Sequence, residues 1–426
     1  MGMTMAEKII AAHCGRREVK PGEYVWAKVD GTGVIGLLMR VIGPLLEELK
    51  IDRVFDPERV YCTEDHLAPS PNLEAAQDVS ALRAFVKKYG ITHWFEFGRH
   101  GILHQLFPEN GYVVPGDLIA SVDSHSTSYG CFNAMGVPVM EESPYVIAKG
   151  ELWLRVPESI RFELVGELPE YIVGKDIILK IAGSHGTDVA IYKSVEFVGP
   201  VARALSLGSR FSMANMGVEL GAKCALFEAD AKTMEFLAGR IRREPQPVIA
   251  DPDAVYEAVY TVDVTGMEPQ VALPHDPGNV RPVSQVSDMH IKIHQAFLGS
   301  CTSGRLEDMQ VTARILKGRK VHPDVRFIVS PASQEQWRLA LQAGYLDVLS
   351  EAGCLVCHST CGPCCGGPLG LLAAGERCIS TSNRNFQGRM GSPEAEVYLA
   401  SPATVAASAV AGEVTDPRDL LASGGG

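Results

Sequence analysis

The chain has 426 residues, 46% apolar and 21% charged, which is enough to bury more than one core. Its 51 acidic and 39 basic residues give a formal net charge of −12, which disfavours nonspecific attraction to nucleic acid or anionic membrane. Apolar stretches such as Gly33–Met39 and Val405–Ala411 fall far short of the roughly 20 residues of a membrane span, and Met1–Cys14 has no signal-like pattern. A cytoplasmic protein is expected. Eleven cysteines is an odd count, and five crowd into Cys354–Cys365, which suits a metal better than a disulfide framework.

In chain order, Thr4–Ala12 predicts a short opening helix, and Val19–Glu23 a turn into the alternating strand Tyr24–Val29. Helical patterns over Gly36–Leu49 and Asn72–Tyr89 then alternate with short apolar strands at Val60–Thr63, His93–Phe95 and Leu118–Val122. That rhythm predicts an α/β fold with parallel sheets and crossover helices, whose functional side chains gather at the carboxyl ends of strands. The texture changes near Pro157, where Phe162–Gly166 and Ile177–Ile181 precede a longer helical region. The Pro-rich, acidic segment Glu244–Val255 and an expected loop over Leu273–Pro282 precede a strand at Ile291–Leu298. Three domains are therefore expected, over residues 1–157, 158–275 and 276–426, with a disordered Gly-rich tail at Ser423–Gly426.

The densest chemical signal is Cys354-x2-Cys357-x3-Cys361-x2-Cys364-Cys365 on a loop rich in Gly and Pro. Closely spaced thiolates on such a loop suit either an iron–sulfur cluster or a structural zinc knuckle built from four local cysteines. Cys301, in the small-residue turn after an apolar strand, is the remote cysteine that separates the two, although alone it reads as a core residue. Asp65-His66, His104-Gln105 and Asp123-Ser124-His125 each follow a strand or a glycine turn and pair an imidazole with a carboxylate or amide. Singly each reads as a satisfied polar cap; three in one domain point to a shared site. Asn215-x3-Glu219 shares a helix face, by default a solvated one, and Ser382–Arg389 offers Arg384 and Arg389 as a clamp for carboxylates.

Together these segments resemble the aconitase superfamily, above all its free-standing large subunits of the isopropylmalate dehydratase and homoaconitase type. The resemblance runs nearly end to end, through Ala6–Ile10, Gly101–Gln105, Asp123–His125, Gly299–Thr302, Cys361–Cys364, Ser382–Arg389 and Gly391–Glu396. It implies three α/β domains around a central [4Fe-4S] cluster held by Cys301, Cys361 and Cys364, with one iron open to water and substrate. It further implies that Asp65-His66 protonates a departing hydroxyl. Asp123, Ser124, His125, His104 and Glu219 would form the catalytic set around the iron-bound water. Asn215 and Asn383 would lie near cluster and substrate, and Arg384 and Arg389 would bind carboxylates. The implied reaction is dehydration and rehydration of a small di- or tricarboxylate, with 3-isopropylmalate ahead of homoaconitate and 2,3-dimethylmalate. The swivelling fourth domain of fused relatives is missing, so a separate small subunit carrying it is implied. Iron-responsive RNA binding, known in the superfamily, is opposed by the acidic balance. Three stretches depart from the family pattern: Ser303 replaces the usual Asn after Cys-Thr, Asp30–Gly33 is unusual, and Cys131–Glu142 lacks the usual Gly-rich run. Cys354, Cys357 and Cys365 have no counterpart role.

Overall fold

Short runs of β-branched and apolar residues become strands wherever both faces can be covered. In the computed structural model, which describes residues 2–421, the first such sheet has five strands. Their order is His93–Phe95, Val60–Thr63, Gly31–Ile35, Leu118–Ser121 and Met135–Pro138, and every pair is parallel. Val60–Thr63 and Leu118–Ser121 are buried throughout, as a sheet covered on both faces requires. The crossover helix Leu73–Tyr89 starts where Asn72 accepts a hydrogen bond from Ala75 N, and stops at Gly90, whose φ of 65° favours a residue without a Cβ. Helix Met5–His13 opens on a capping box in which Thr4 and Glu7 satisfy each other's backbone amides.

The central strand Gly31–Ile35 lies partly in the stretch that looks unusual in the sequence. Its glycines have a steric reason. A Cβ on Gly31 would lie 2.6 Å from the Tyr61 ring, and one on Gly33 2.8 Å from the Phe107 ring. The two rings meet edge-on with centroids 4.9 Å apart, so the glycines make room for an aromatic layer. The helical pattern over Gly36–Leu49 divides into a 3-10 turn at Gly36–Leu38 and an α-helix at Met39–Glu48. Tyr24–Lys28 is a strand, but it pairs antiparallel with Glu151–Arg155 in a separate two-stranded ribbon.

Sheet membership changes after that ribbon. Cys224–Phe227, Ser194–Val198, Ser159–Val165 and Ala258–Asp263 form a second, all-parallel sheet. The run Ile177–Ile181 is the buried face of helix Gly174–His185. The third sheet has five parallel strands in the order Glu396–Leu399, Arg377–Ser380, Gln295–Leu298, Arg326–Val329 and Leu355–Val356. The segment expected to be a loop over Leu273–Pro282 instead ends in strand Val280–Pro282, which forms a hairpin with Gln270–Ala272 and joins this sheet at Leu399. The hairpin spans position 275, and its pairing partner, remote in sequence, gives no local signal. The expected strand at Ile291–Leu298 is shorter, Gln295–Leu298. No described helix is long and apolar enough to cross a membrane. The tail Ser423–Gly426 lies outside the described residues.

Candidate active site

The loops after Val60–Thr63, Leu118–Ser121, Gln295–Leu298 and Arg377–Ser380 converge on one cleft. Cys301, Cys361 and Cys364 line it with Asp65, His66, His104, Asp123, His125, Asn383 and Arg389. Val60–Thr63 and Leu118–Ser121 flank the same central strand, so their carboxyl ends lie side by side and carry Asp65-His66 toward Asp123.

Asp65 is held from several sides. Its Oδ2 accepts Leu103 N at 2.8 Å, and its carbonyl accepts Cys361 N and Thr360 Oγ1, each at 2.9 Å. Its Oδ1 accepts His66 Nδ1 at 2.6 Å, which fixes the tautomer and leaves His66 Nε2 3.5 Å from Asp123 Oδ2. Burial alone would lower the His66 pKa, but the charges of Cys361 and Asp65 lift it well above its usual value. Asp123 caps the 3-10 segment Ser124–Phe132, accepting His125 N at 2.8 Å and His104 Nε2 at 2.7 Å. Burial would raise its pKa, and His104, His125 and His66 together hold it well below the carboxylate range.

A second layer stands behind. His125 Nε2 lies 2.8 Å from Glu219 Oε1, which also accepts Arg384 Nε at 2.7 Å, while Arg384 Nη1 donates to Ser124 Oγ at 3.2 Å. Burial raises the Glu219 pKa, and His125 and Arg384 more than reverse that. Asn215 ends helix Leu207–Asn215, and a 3-10 turn over Met216–Leu220 then carries Glu219, so the two do not share one solvated helix face; both are buried. Asn383 Nδ2 donates to Asn215 Oδ1 and to Cys301 Sγ, both at 3.1 Å, and Ser300 Oγ donates to Cys364 Sγ at 3.4 Å. Ser300 itself is left-handed, with φ 70°, an outlier directly before Cys301.

Free thiols in a buried cleft, with amide and hydroxyl donors aimed at their sulfurs, suit an iron–sulfur cluster. A four-cysteine zinc knuckle does not form. Cys354 packs in the core of the third sheet, Cys357 against the other large core, and neither lines the cleft. Arg384 is committed to Glu219 and Ser124, whereas the buried Nε of Arg389 has no hydrogen-bond partner. Such an orphan donor in a cleft is explained by an anionic ligand.

Several residues around the site have no role assigned from the sequence. Cys365, Ile102 and Ser300 also line the cleft. Arg305 donates from Nε to Gln105 Oε1, from Nη1 to Thr302 O and from Nη2 to Cys301 O, each at 2.9 Å, and lies 3.7 Å above the Phe211 ring. The Gly-Arg ending of the Cys301 turn was its only signal. Of the departures, Ser303 is buried beside a cavity of about 300 Å³, and Glu141 and Glu142 are exposed.

A sequence profile of the aconitase family (aconitate hydratase) matches residues 50–412. The chain is 47% identical over 431 residues to a 3-isopropylmalate dehydratase large subunit of Aquifex aeolicus, covering 99% of this chain and 98% of that one. A 3-isopropylmalate dehydratase large subunit 1 of Methanopyrus kandleri is also 47% identical, over 99% and 100% of the two chains. Among solved structures, aconitase X of Thermococcus kodakaraensis shares the fold at a TM-score of 0.50 and 13% identity, over 84% of each chain.

Proposed function

Because this chain belongs to the aconitase family, and so is one of its hydro-lyases, we propose that it is the cluster-bearing large subunit of a 3-isopropylmalate dehydratase. In this reading it interconverts 2- and 3-isopropylmalate by loss and return of water. The observation that carries it is the 47% identity to such subunits over 99% of the chain. A separate small subunit, bearing the swivelling domain, completes the enzyme, which works in the cytoplasm. The three large sheets are read as three α/β domains, with the boundary expected at 275 falling instead ahead of strand Gln270–Ala272, which belongs to the third sheet.

Cys301, Cys361 and Cys364 would hold the cluster, a [4Fe-4S] group in this reading, which when bound supplies a Lewis-acidic iron to polarise the substrate hydroxyl. The chain's own residues do the rest. Asp65 keeps the His66 Nδ1 proton, so Nε2 is the atom that protonates the departing hydroxyl. Asp123, tied to His104 and oriented by the His125 amide, stays ionised and fixes the position of the water. Glu219 holds His125 from behind, with Arg384 and Ser124 locking Glu219 in turn. Asn215 orients Asn383, whose amide steadies the Cys301 sulfur. Arg389 offers its unpaired Nε to a substrate carboxylate.

The test is iron and acid-labile sulfide on anaerobically purified protein, beside a Cys361→Ser control, followed by hydration assays with the cognate small subunit. About four irons and four sulfides per chain, lost in the control, with turnover of 2-isopropylmalate above homocitrate, is the expected result. Zinc without sulfide would sink the reading; homocitrate turnover above 2-isopropylmalate would move the chain to the homoaconitase branch.

A further inference from the structure

Lys175 begins helix Gly174–His185 beside the second sheet, yet its ammonium reaches the third. Its Nζ donates to the carbonyls of Thr381, at 3.1 Å, and Ser382, and the residue is 1% exposed. Among the described residues no carboxylate forms an ion pair with it. The adjacent Asp176 spends its oxygens on Val173 N and Gln270 N, at 3.1 and 3.0 Å. Glu219 is taken by His125 and Arg384. A buried ammonium held only by carbonyl dipoles is costly unless a further negative charge stands nearby. Burial lowers the Lys175 pKa to about 8, and the groups that most oppose it are the Cys364 and Cys301 sulfurs, ahead of Glu219 and Asp176.

The gripped turn also matters. Thr302 Oγ1 donates to the same Thr381 carbonyl at 2.5 Å, and Thr381 Oγ1 bonds both the amide and the carbonyl of Gly299 at 3.0 Å. Two residues on, Asn383 delivers its amide to Cys301. Lys175 therefore pins the turn at 381–383, which Thr302 and Gly299 tie to the turn that presents the Cys301 sulfur.

We propose that Lys175 is a positioning residue whose ammonium is the counter-charge of the metal-loaded cysteine set, so that loading the cysteines and docking helix Gly174–His185 against the turns at 299–302 and 381–383 are coupled. With neutral thiols the ammonium stands uncompensated; with metal-bound thiolates it is matched. The inference rests on the cluster reading above.

Lys175→Met and Lys175→Arg in the full-length chain, each stripped by a chelator and then reconstituted, provide the test. Lys175→Met is expected to raise the unfolding temperature of stripped protein and lower that of loaded protein. It should release iron to a chelator about tenfold faster, the order expected for one lost charge-assisted contact, and lower the midpoint potential of the cluster. Lys175→Arg keeps the charge, and the adjoining cavity of about 300 Å³ gives its longer side chain room, so release should return toward wild type. A purely structural lysine would destabilise both states alike and leave iron release unchanged, and that result overturns the inference. In the wild-type chain, amide exchange over 174–185 and 381–383 should quicken on stripping; equal exchange in the two states also overturns it. Iron and sulfide analysis of the same samples separates the two failures: no iron and sulfide sinks the cluster reading and this inference together, and loaded protein with unaltered release sinks this inference alone.

Discussion

Replacing Arg389 with Met should separate ligand binding from stability. The buried Nε of Arg389 makes no hydrogen bond to protein, and the guanidinium interacts chiefly with the Cys364 and Cys365 sulfurs and forms no ion pair with a described carboxylate, so its loss breaks no such pair in the free chain. A substrate carboxylate would lose one charge-assisted hydrogen bond, worth about 1.5–3 kcal/mol, which corresponds to a KM roughly 10- to 150-fold higher. Arg384→Met should behave in the opposite way. It strips Glu219 and Ser124 of their bonds at 2.7 and 3.2 Å and leaves a buried carboxylate with one partner fewer. Breaking a buried ion pair typically costs about 3–5 kcal/mol of stability. Thermal unfolding of the large subunit and steady-state kinetics of the assembled enzyme provide the two readouts. If Arg389→Met proved as destabilising as Arg384→Met and left KM within about twofold of wild type, the assignment of Arg389 as the open carboxylate contact would fail.

Three further outcomes follow from packing and charge. Arg305→Met abandons the Cys301 and Thr302 carbonyls and Gln105 together, and should lower urea stability by about 3–5 kcal/mol while speeding iron loss; a change below about 1 kcal/mol would mean that water replaces the guanidinium. Gly33→Ala drives a Cβ to 2.8 Å from the Phe107 ring and should cost about 1–3 kcal/mol, partly recovered in a double variant with Phe107→Leu; purely additive effects would count against the steric account. Burial lowers the His13 pKa, but the bond to Asp30 at 2.7 Å raises it more; in Asp30 burial raises the pKa and His13 more than reverses it. The His13 contribution is fully present below its unfolded pKa of about 6.5 and fades as pH climbs through the raised folded value; that of Asp30 is present above about 3.9 and fades as pH falls through its lowered value. His13→Asn should therefore flatten the fall in melting temperature just above pH ~6.5, and an unchanged profile would refute the pairing.

Where structure follows from local periodicity, the sequence is legible. Strands Val60–Thr63 and His93–Phe95 lie where alternating and apolar runs put them, and helix Leu73–Tyr89 begins at the Asn72 cap. Gly31–Ile35 is hidden because its glycines answer to Tyr61 and Phe107, residues that reach it only in three dimensions. The site divides in the same way. Asp65-His66, Asp123-Ser124-His125 and the cysteine loop are visible as dense local chemistry. That Glu219 stands behind His125 follows from the break in helix geometry after Asn215, which a regular i, i+4 reading misses. Lys175 has no sequence signal at all, since one lysine in the first turn of a helix ordinarily faces water.

The same inventory of charges bears on why the chain needs a partner. A substrate with two carboxylates must have both met by cationic groups, and the cleft's cations are mostly spent: Arg384 on Glu219, Arg305 on the Cys301 and Thr302 carbonyls, Lys175 on those of Thr381 and Ser382. Among the described residues lining the cleft, Arg389 is the arginine with an orphan donor. One carboxylate can be bound there, and in the proposed reading the second would fall to a cation brought by the small subunit. On that account the isolated large subunit should bind iron and sulfide in full yet show KM values too high for useful turnover. Adding the small subunit should lower KM as well as raise kcat, because it completes the anion site and not only the acid–base chemistry. A small subunit that changed kcat alone would show that the second carboxylate is already met within this chain.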